Sequence, residues 1–175
     1  DPRLNQAGCG IIVLAEWKPP VYPESIRLIT SSIRRNNPMF LDSRIHHNNL
    51  LNNILAKIEA NYAQADAGLM LDKDGFVAEA NGVNVFLIKN NVIRTPFADA
   101  CLPGITRATI LSLCKTHDIP CEEARIALSE FYAADFVFTT GTMGELTMVS
   151  EIDGRTIRHQ KGIELFEKIN QHFRD

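Results

Sequence analysis

The chain predicts an α+β fold, because hairpin signals and helical periodicities interleave along it without a regular βαβ order. Asp74-Gly75, Asn90-Asn91 and Asp153-Gly154 each stand between apolar or β-branched runs, as tight hairpin turns do. Apolar residues recur at spacings of three and four in 48–65, and 106–117 and 162–173 also read as helices.

In chain order, "GIIVLAEW" (10–17) is a continuous apolar run and reads as a buried strand. "KPPVYP" follows as a local loop. "SIRLITSSI" (25–33) reads as a second strand, rich in β-branched residues. "RRNNPMFLDSR" is turn-like, broken by Asn-Pro. The 48–65 helix carries Leu50, Leu51, Ile54, Leu55 and Ile58, with Asn48 or Asn49 as its cap. "AGLMLD" and "FVAEA" form one hairpin, and "NVFLIK" and "VIRTP" a second. The helix over 106–117 presents Ile110, Leu111, Leu113 and Cys114 on or near one face. "IPCEEARI" reads as a strand, "LSEFYAA" as a short helix, "DFVFTT" as a strand and "LTMVSEIDGRTI" as a third hairpin. An amphipathic helix over 162–173 ends the order.

Residues 1–175 suffice for one domain with a sizeable core, and single-domain organisation is expected. Hydrophobic residues make up 45% and charged residues 22%, the balance of a soluble globular protein. The net charge of −3 and the lack of a basic cluster argue against nucleic acid. No apolar run has membrane-spanning length, and no secretory signal is visible. The start "DPRLNQAGCG" lacks an initiator Met, as in a fragment or a processed chain. Cys9, Cys101, Cys114 and Cys121 form no CxxC pair and read as free buried thiols of a reducing cytosol. The histidines match no HExxH-like metal set.

Three local features suggest one binding chemistry. In "LPGITR", Gly104 precedes a helix whose first amides lack internal partners, and the amides of Ile105 and Thr106 with the Thr106 hydroxyl would cradle a phosphate. In "TTGTMGE" (139–145), Gly141 and Gly144 permit a nest-like loop whose Thr142 could reach the same phosphate. Glu79, with Asn81 and Asn84 nearby to orient it, could keep a ring nitrogen protonated. An anionic ligand with a protonatable ring nitrogen, such as pyridoxal 5'-phosphate (PLP), would use all three. Taken singly, each has a plain alternative: an ordinary helix start, a glycine turn and a surface strand glutamate.

The order and wording of these blocks resemble the fold-type IV PLP enzymes, the branched-chain and D-amino acid aminotransferases. The resemblance covers nearly the whole chain, through "NNILAKIEAN", "DGFVAEANGVNVFLIKNNVIRTP", "LPGITRATI", "FYAADFVFTTGTMGELTMVSEIDGR" and the closing helix. It implies the larger C-terminal domain of that fold, α+β with a barrel-like mixed sheet and flanking helices. It implies amino-group transfer between an amino acid and a 2-oxo acid and a homo-oligomer, while the free thiols point to a cytoplasmic location. By resemblance, Glu79 faces the pyridine nitrogen, and Ile105, Thr106 and Thr142 hold the phosphate. The backbone around Thr142 and Met143 lies near the substrate carboxylate, while Arg107 and Glu145 are structural.

The chain departs from the family in three places. The Schiff-base lysine position falls on His46, which has no primary amine; neither Ile45 nor His47 supplies one. PLP would then be held noncovalently and the chain would be inactive or nearly so. Lys57 matches a non-catalytic lysine of the family and reads as solvated or ion-paired. By resemblance, the family's smaller N-terminal domain comes before a segment like this one; a chain starting at Asp1 is expected to leave an apolar face uncovered, with self-association or poor solubility. Leu50 takes a position often occupied by tyrosine in the branched-chain enzymes and by leucine in the D-specific ones. A PLP-dependent lyase of the aminodeoxychorismate type and a non-catalytic scaffold or partner domain remain alternatives.

Overall fold

A computed structural model describes residues 1–5, 7–17 and 23–175. Nine strands are described: β1 (Ser25–Thr30), β2 (Ala67–Leu71), β3 (Val77–Ala80), β4 (Asn84–Lys89), β5 (Val92–Pro96), β6 (Cys121–Ala124), β7 (Phe136–Gly141), β8 (Glu145–Ile152) and β9 (Arg155–Thr156). Four α-helices accompany them: α1 (Leu51–Tyr62), α2 (Ile105–Thr116), α3 (Leu128–Tyr132) and α4 (Ile163–Arg174).

The strands form one mixed sheet in the order β3-β2-β1-β8-β7-β4-β5-β6, with β9 paired to β8. β1 runs parallel to both neighbours, whereas β7 is antiparallel to both of its own. The sheet curls until its two ends meet. Phe76, just before β3, bridges Ala127, and the Val77 amide donates to the Ile126 carbonyl at 2.9 Å. This is the expected barrel-like α+β architecture.

Strand alternation sorts the side chains into two cores. Leu28, Leu69, Val85, Leu87, Val137 and Val149 fill the barrel interior together with Phe131 of α3. On the other face, Phe86, Ile88, Phe136 and Phe138 pack against Ile110 and Cys114 of α2 and Phe166 and Ile169 of α4. The Phe86 and Phe138 rings stack at 5.0 Å, which joins β4 to β7 across their ladder. α1 lies on β2, where Gly68 leaves room for Ala56; a Cβ at Gly68 would stand 2.7 Å from the Ala56 carbonyl oxygen.

The predicted hairpins form at the predicted turns. Asn90 and Asn91 adopt φ of 51° and 60°, and Asp153 and Gly154 adopt 51° and 75°, the left-handed pairs that tight two-residue turns need. At the third turn, the Asp72 carboxylate accepts from the amides of Asp74 and Phe76, both at 2.9 Å.

Three expectations are corrected. Residues 10–17 are not a buried strand: they join no strand of the described sheet and are exposed from Ile11 to Leu14. Both edges of β1 are taken by β2 and β8, and the sheet ends close on each other, so the run finds no edge to join. The α1 cap is Leu50 without a side-chain hydrogen bond, not an asparagine. Of the cysteines, all free, Cys101 and Cys114 are buried, but Cys121 is half-buried and Cys9 exposed. The Pro-rich loop lies outside the described residues over 18–22. No helix of the described residues is long and apolar enough to cross a membrane, and no group of three metal-ligating side chains is found among them.

Candidate functional site

A cavity of about 580 Å³ opens outside the barrel, between the starts of α1 and α2 and over the ends of β3, β4 and β7. Its lining brings together His46, Glu79, Ile105, Thr106 and Thr142, five of the six residues given a cofactor, substrate or Schiff-base position by resemblance. Met143 does not line it and is 73% exposed.

Glu79 is 3% exposed on β3. Its Oε1 faces an Arg35 guanidinium nitrogen at 2.9 Å without accepting an aligned hydrogen bond, and its Oε2 accepts from Asn84 Nδ2 at 3.2 Å. Burial pushes the carboxyl up to about 7, against the opposing pull of Arg35. Arg35 is itself anchored by two further hydrogen bonds, donating to Asn53 Oδ1 at 2.6 Å and to the Ala100 carbonyl at 3.2 Å. Arg35 was invisible as a site residue in the sequence, where it stood in a turn-like stretch 44 positions from its partner. Asn84 orients Glu79 as expected. Asn81 does not; its Oδ1 accepts from the Gly68 amide at 2.9 Å.

Asn84 also ties Glu79 to the helix start, since its Nδ2 donates to the Leu102 carbonyl at 3.0 Å. Gly104 is the N-cap of α2 and offers no capping side chain, so the first amides of the helix face the cavity end. Its φ of −53° suits any residue, so the constraint is space: a Cβ there would stand 2.2 Å from Asn84 Oδ1. Thr106 is buried beneath the first turn, and Ile105 is exposed at its rim. Arg107 is structural, as expected, with Nη2 donating to the Pro96 carbonyl at 2.8 Å and paired to Glu123.

His46 is an exposed residue of the cavity lining, and no lysine is among the described lining residues. Lys57 is half-buried, and its ammonium donates to the Asp66 carbonyl; no ion pair is seen for it among the described residues. His47 Nδ1 accepts from the Asn49 amide at 3.1 Å. Cys101, buried close by, is inert: burial first and the Glu79 charge second push its thiol up to about 12.

The family model for amino-transferase class IV matches residues 5–152, and the chain belongs to that family. It is 59% identical over 163 residues to branched-chain-amino-acid aminotransferase-like protein 2 of Arabidopsis thaliana, covering 92% of this chain and 29% of that one. Among solved structures, it matches the branched-chain aminotransferase of Thermoproteus uzoniensis with norvaline at TM-score 0.81 and 36% identity, over 86% of this chain and 50% of that one. The branched-chain amino acid aminotransferase of Thermobaculum terrenum in its PLP form matches at TM-score 0.81 and 31% identity, over 86% of this chain and 50% of that one. The chain thus spans about half the length of these solved relatives. These likenesses agree with the fold expected from the sequence, the larger C-terminal domain of the fold-type IV enzymes.

Proposed function

We propose that residues 1–175 form a single PLP-binding domain. Its reaction class is amino-group transfer between an amino acid, of branched-chain type by its relatives, and a 2-oxo acid. The observation that carries this is a buried carboxylate, Glu79, lining the same cavity as the open amides at the start of α2.

The residues fit the cofactor at both polar ends. The Ile105 and Thr106 amides and the Thr106 and Thr142 hydroxyls bind its phosphate, where the positive end of the helix dipole adds to them. Glu79 holds a proton at the ring nitrogen, and a cationic partner there lowers its carboxyl from about 7 toward full ionisation. Arg35 and Asn84 fix the carboxylate in place. When bound, the cofactor supplies an electron-withdrawing ring to the carbon that exchanges its amino group. The backbone at Thr142 and Met143 faces the substrate carboxylate.

The fit fails at one point. His46 offers an imidazole where the family has an amine, so this chain holds the cofactor without a covalent bond. The imidazole can carry a proton, but it cannot exchange an amine with substrate. This chain is accordingly impaired in transfer. The same residue favours a second reading, a non-catalytic PLP-fold partner domain.

A homo-oligomer agrees with the apolar face that α1 leaves exposed at Leu51, Ile54, Leu55 and Ile58. A cytoplasmic location agrees with the free thiols. The test is equilibrium dialysis of PLP against the chain, paired with an assay of transfer from branched-chain and D-amino acids. Saturable binding with negligible turnover is expected. Absence of binding overturns the assignment, and robust turnover overturns the role given to His46.

A further inference from the structure

One buried hydroxyl at the cavity has no part in the roles above. Thr140 is 1% exposed and lines the cavity, and its Oγ1 has no hydrogen-bond partner. Its neighbour Thr139 points to the other face of β7 and donates to the Thr147 carbonyl at 3.5 Å. Thr140 instead shares the face of Phe136 and Phe138, the strand residues that pack against Ile110 and Cys114 of α2. Thr106 precedes Ile110 by four residues, so the buried stripe of α2 runs back to its first turn. The stripe of β7 runs forward from Phe136 through Phe138 to Thr140. Directly opposite Thr140 in the ladder stands Asn84, whose Oδ1 lies against Gly104. Helix start and strand end therefore converge on one wall of the cavity, with an unpaired buried hydroxyl in it. Such a group is costly to leave unmade.

We propose that the Thr140 hydroxyl, in the cavity floor beneath the first turn of α2, donates a hydrogen bond to the phosphate of the bound ligand. The assignment rests on the cavity taking a phosphorylated ligand, and it adds a donor from the sheet to those of the helix and the 141–144 loop. A phosphate seated there meets donors from two directions, which selects a phosphate ester over a carboxylate of similar charge.

The experiment compares the 175-residue chain with Thr140→Val and Thr140→Ser variants, measuring dissociation constants for PLP and for unphosphorylated pyridoxal by equilibrium dialysis. Thermal unfolding without ligand is followed in parallel. Valine keeps the branched shape and removes the hydroxyl. It is expected to weaken PLP about 10-fold, the effect of one hydrogen bond to a charged group. Pyridoxal affinity stays within about 2-fold, because the lost contact is to phosphate. The ligand-free unfolding temperature stays level or rises, since an unpaired buried hydroxyl has been replaced by an apolar group. Serine restores PLP affinity to within about 3-fold. If the valine variant binds PLP as tightly as the unmodified chain, the Thr140 assignment fails while the cavity assignment stands. Equal weakening of PLP and pyridoxal also overturns it, in favour of a ring contact. A sharp fall in ligand-free unfolding temperature shows a structural partner instead. If the unmodified chain binds no PLP, the cavity assignment fails and this one with it.

Discussion

Replacing Gly104 by alanine tests how the helix start and Glu79 are coupled. The added Cβ would stand 2.2 Å from Asn84 Oδ1, about 1 Å inside the closest contact a methyl tolerates. Gly104 is the N-cap of a 12-residue helix, so the Asn84 side chain is the softer partner and must move. It is held by two hydrogen bonds, to Glu79 at 3.2 Å and to the Leu102 carbonyl at 3.0 Å. Losing both costs about 1–3 kcal/mol at the usual net value of a buried hydrogen bond. Part of that loss falls on binding, because Glu79 loses the group that orients its Oε2. Urea unfolding and PLP dialysis on the same protein measure both effects. The expected result is a lower midpoint with unchanged m-value and PLP affinity reduced by about 5- to 30-fold. An alanine variant with unchanged midpoint and unchanged affinity refutes the coupling of helix start to carboxylate through Asn84.

Further outcomes follow from the same cluster. The Glu79 carboxyl lies at about 7 in the folded chain against an ordinary 4.5. Its folded pKa is raised, so its contribution is fully present below about pH 4.5 and is lost as pH rises through about 7, by about 3 kcal/mol at most. Urea midpoints measured across that window should show this slope in the ligand-free chain and lack it in Glu79→Gln. Arg35→Met leaves a buried carboxylate without its cation and is expected to cost about 3–5 kcal/mol at pH 8, and less at pH 5, where Glu79 takes up a proton. Equal loss at both pH values would show that Arg35 acts through Asn53 and Ala100 rather than through Glu79.

Local signals in the sequence were enough for the parts of the fold that local physics decides. Asn90-Asn91 and Asp153-Gly154 tolerate left-handed backbone, and the turns form there. The stripe of Ile110 and Cys114 predicted a buried helical face, and it packs on the sheet. Most of the failures are non-local. The apolar run at 10–17 satisfies the strand pattern, but whether an edge is open to it depends on the closure of strands far along the chain. Asn48 and Asn49 are good capping residues, yet α1 begins after both. Arg35 finds Glu79 only because the loop after β1 folds back over α1, and no spacing in the sequence records that. Thr140 lies unmarked inside an apolar strand, because which threonine of the pair faces the cavity follows from sheet register. The order of motifs drew attention to His46 by resemblance, and the structure sets that residue in the cavity lining.

The most direct measurement is mass spectrometry of the chain after incubation with PLP and reduction with borohydride, beside a His46→Lys variant. The unmodified chain should bind PLP in dialysis yet carry no phosphopyridoxyl mass after reduction, whereas the variant should carry one adduct, mapped to position 46. An adduct on a lysine of the unmodified chain, or no adduct on the variant despite bound PLP, contradicts the placement of the missing amine at residue 46.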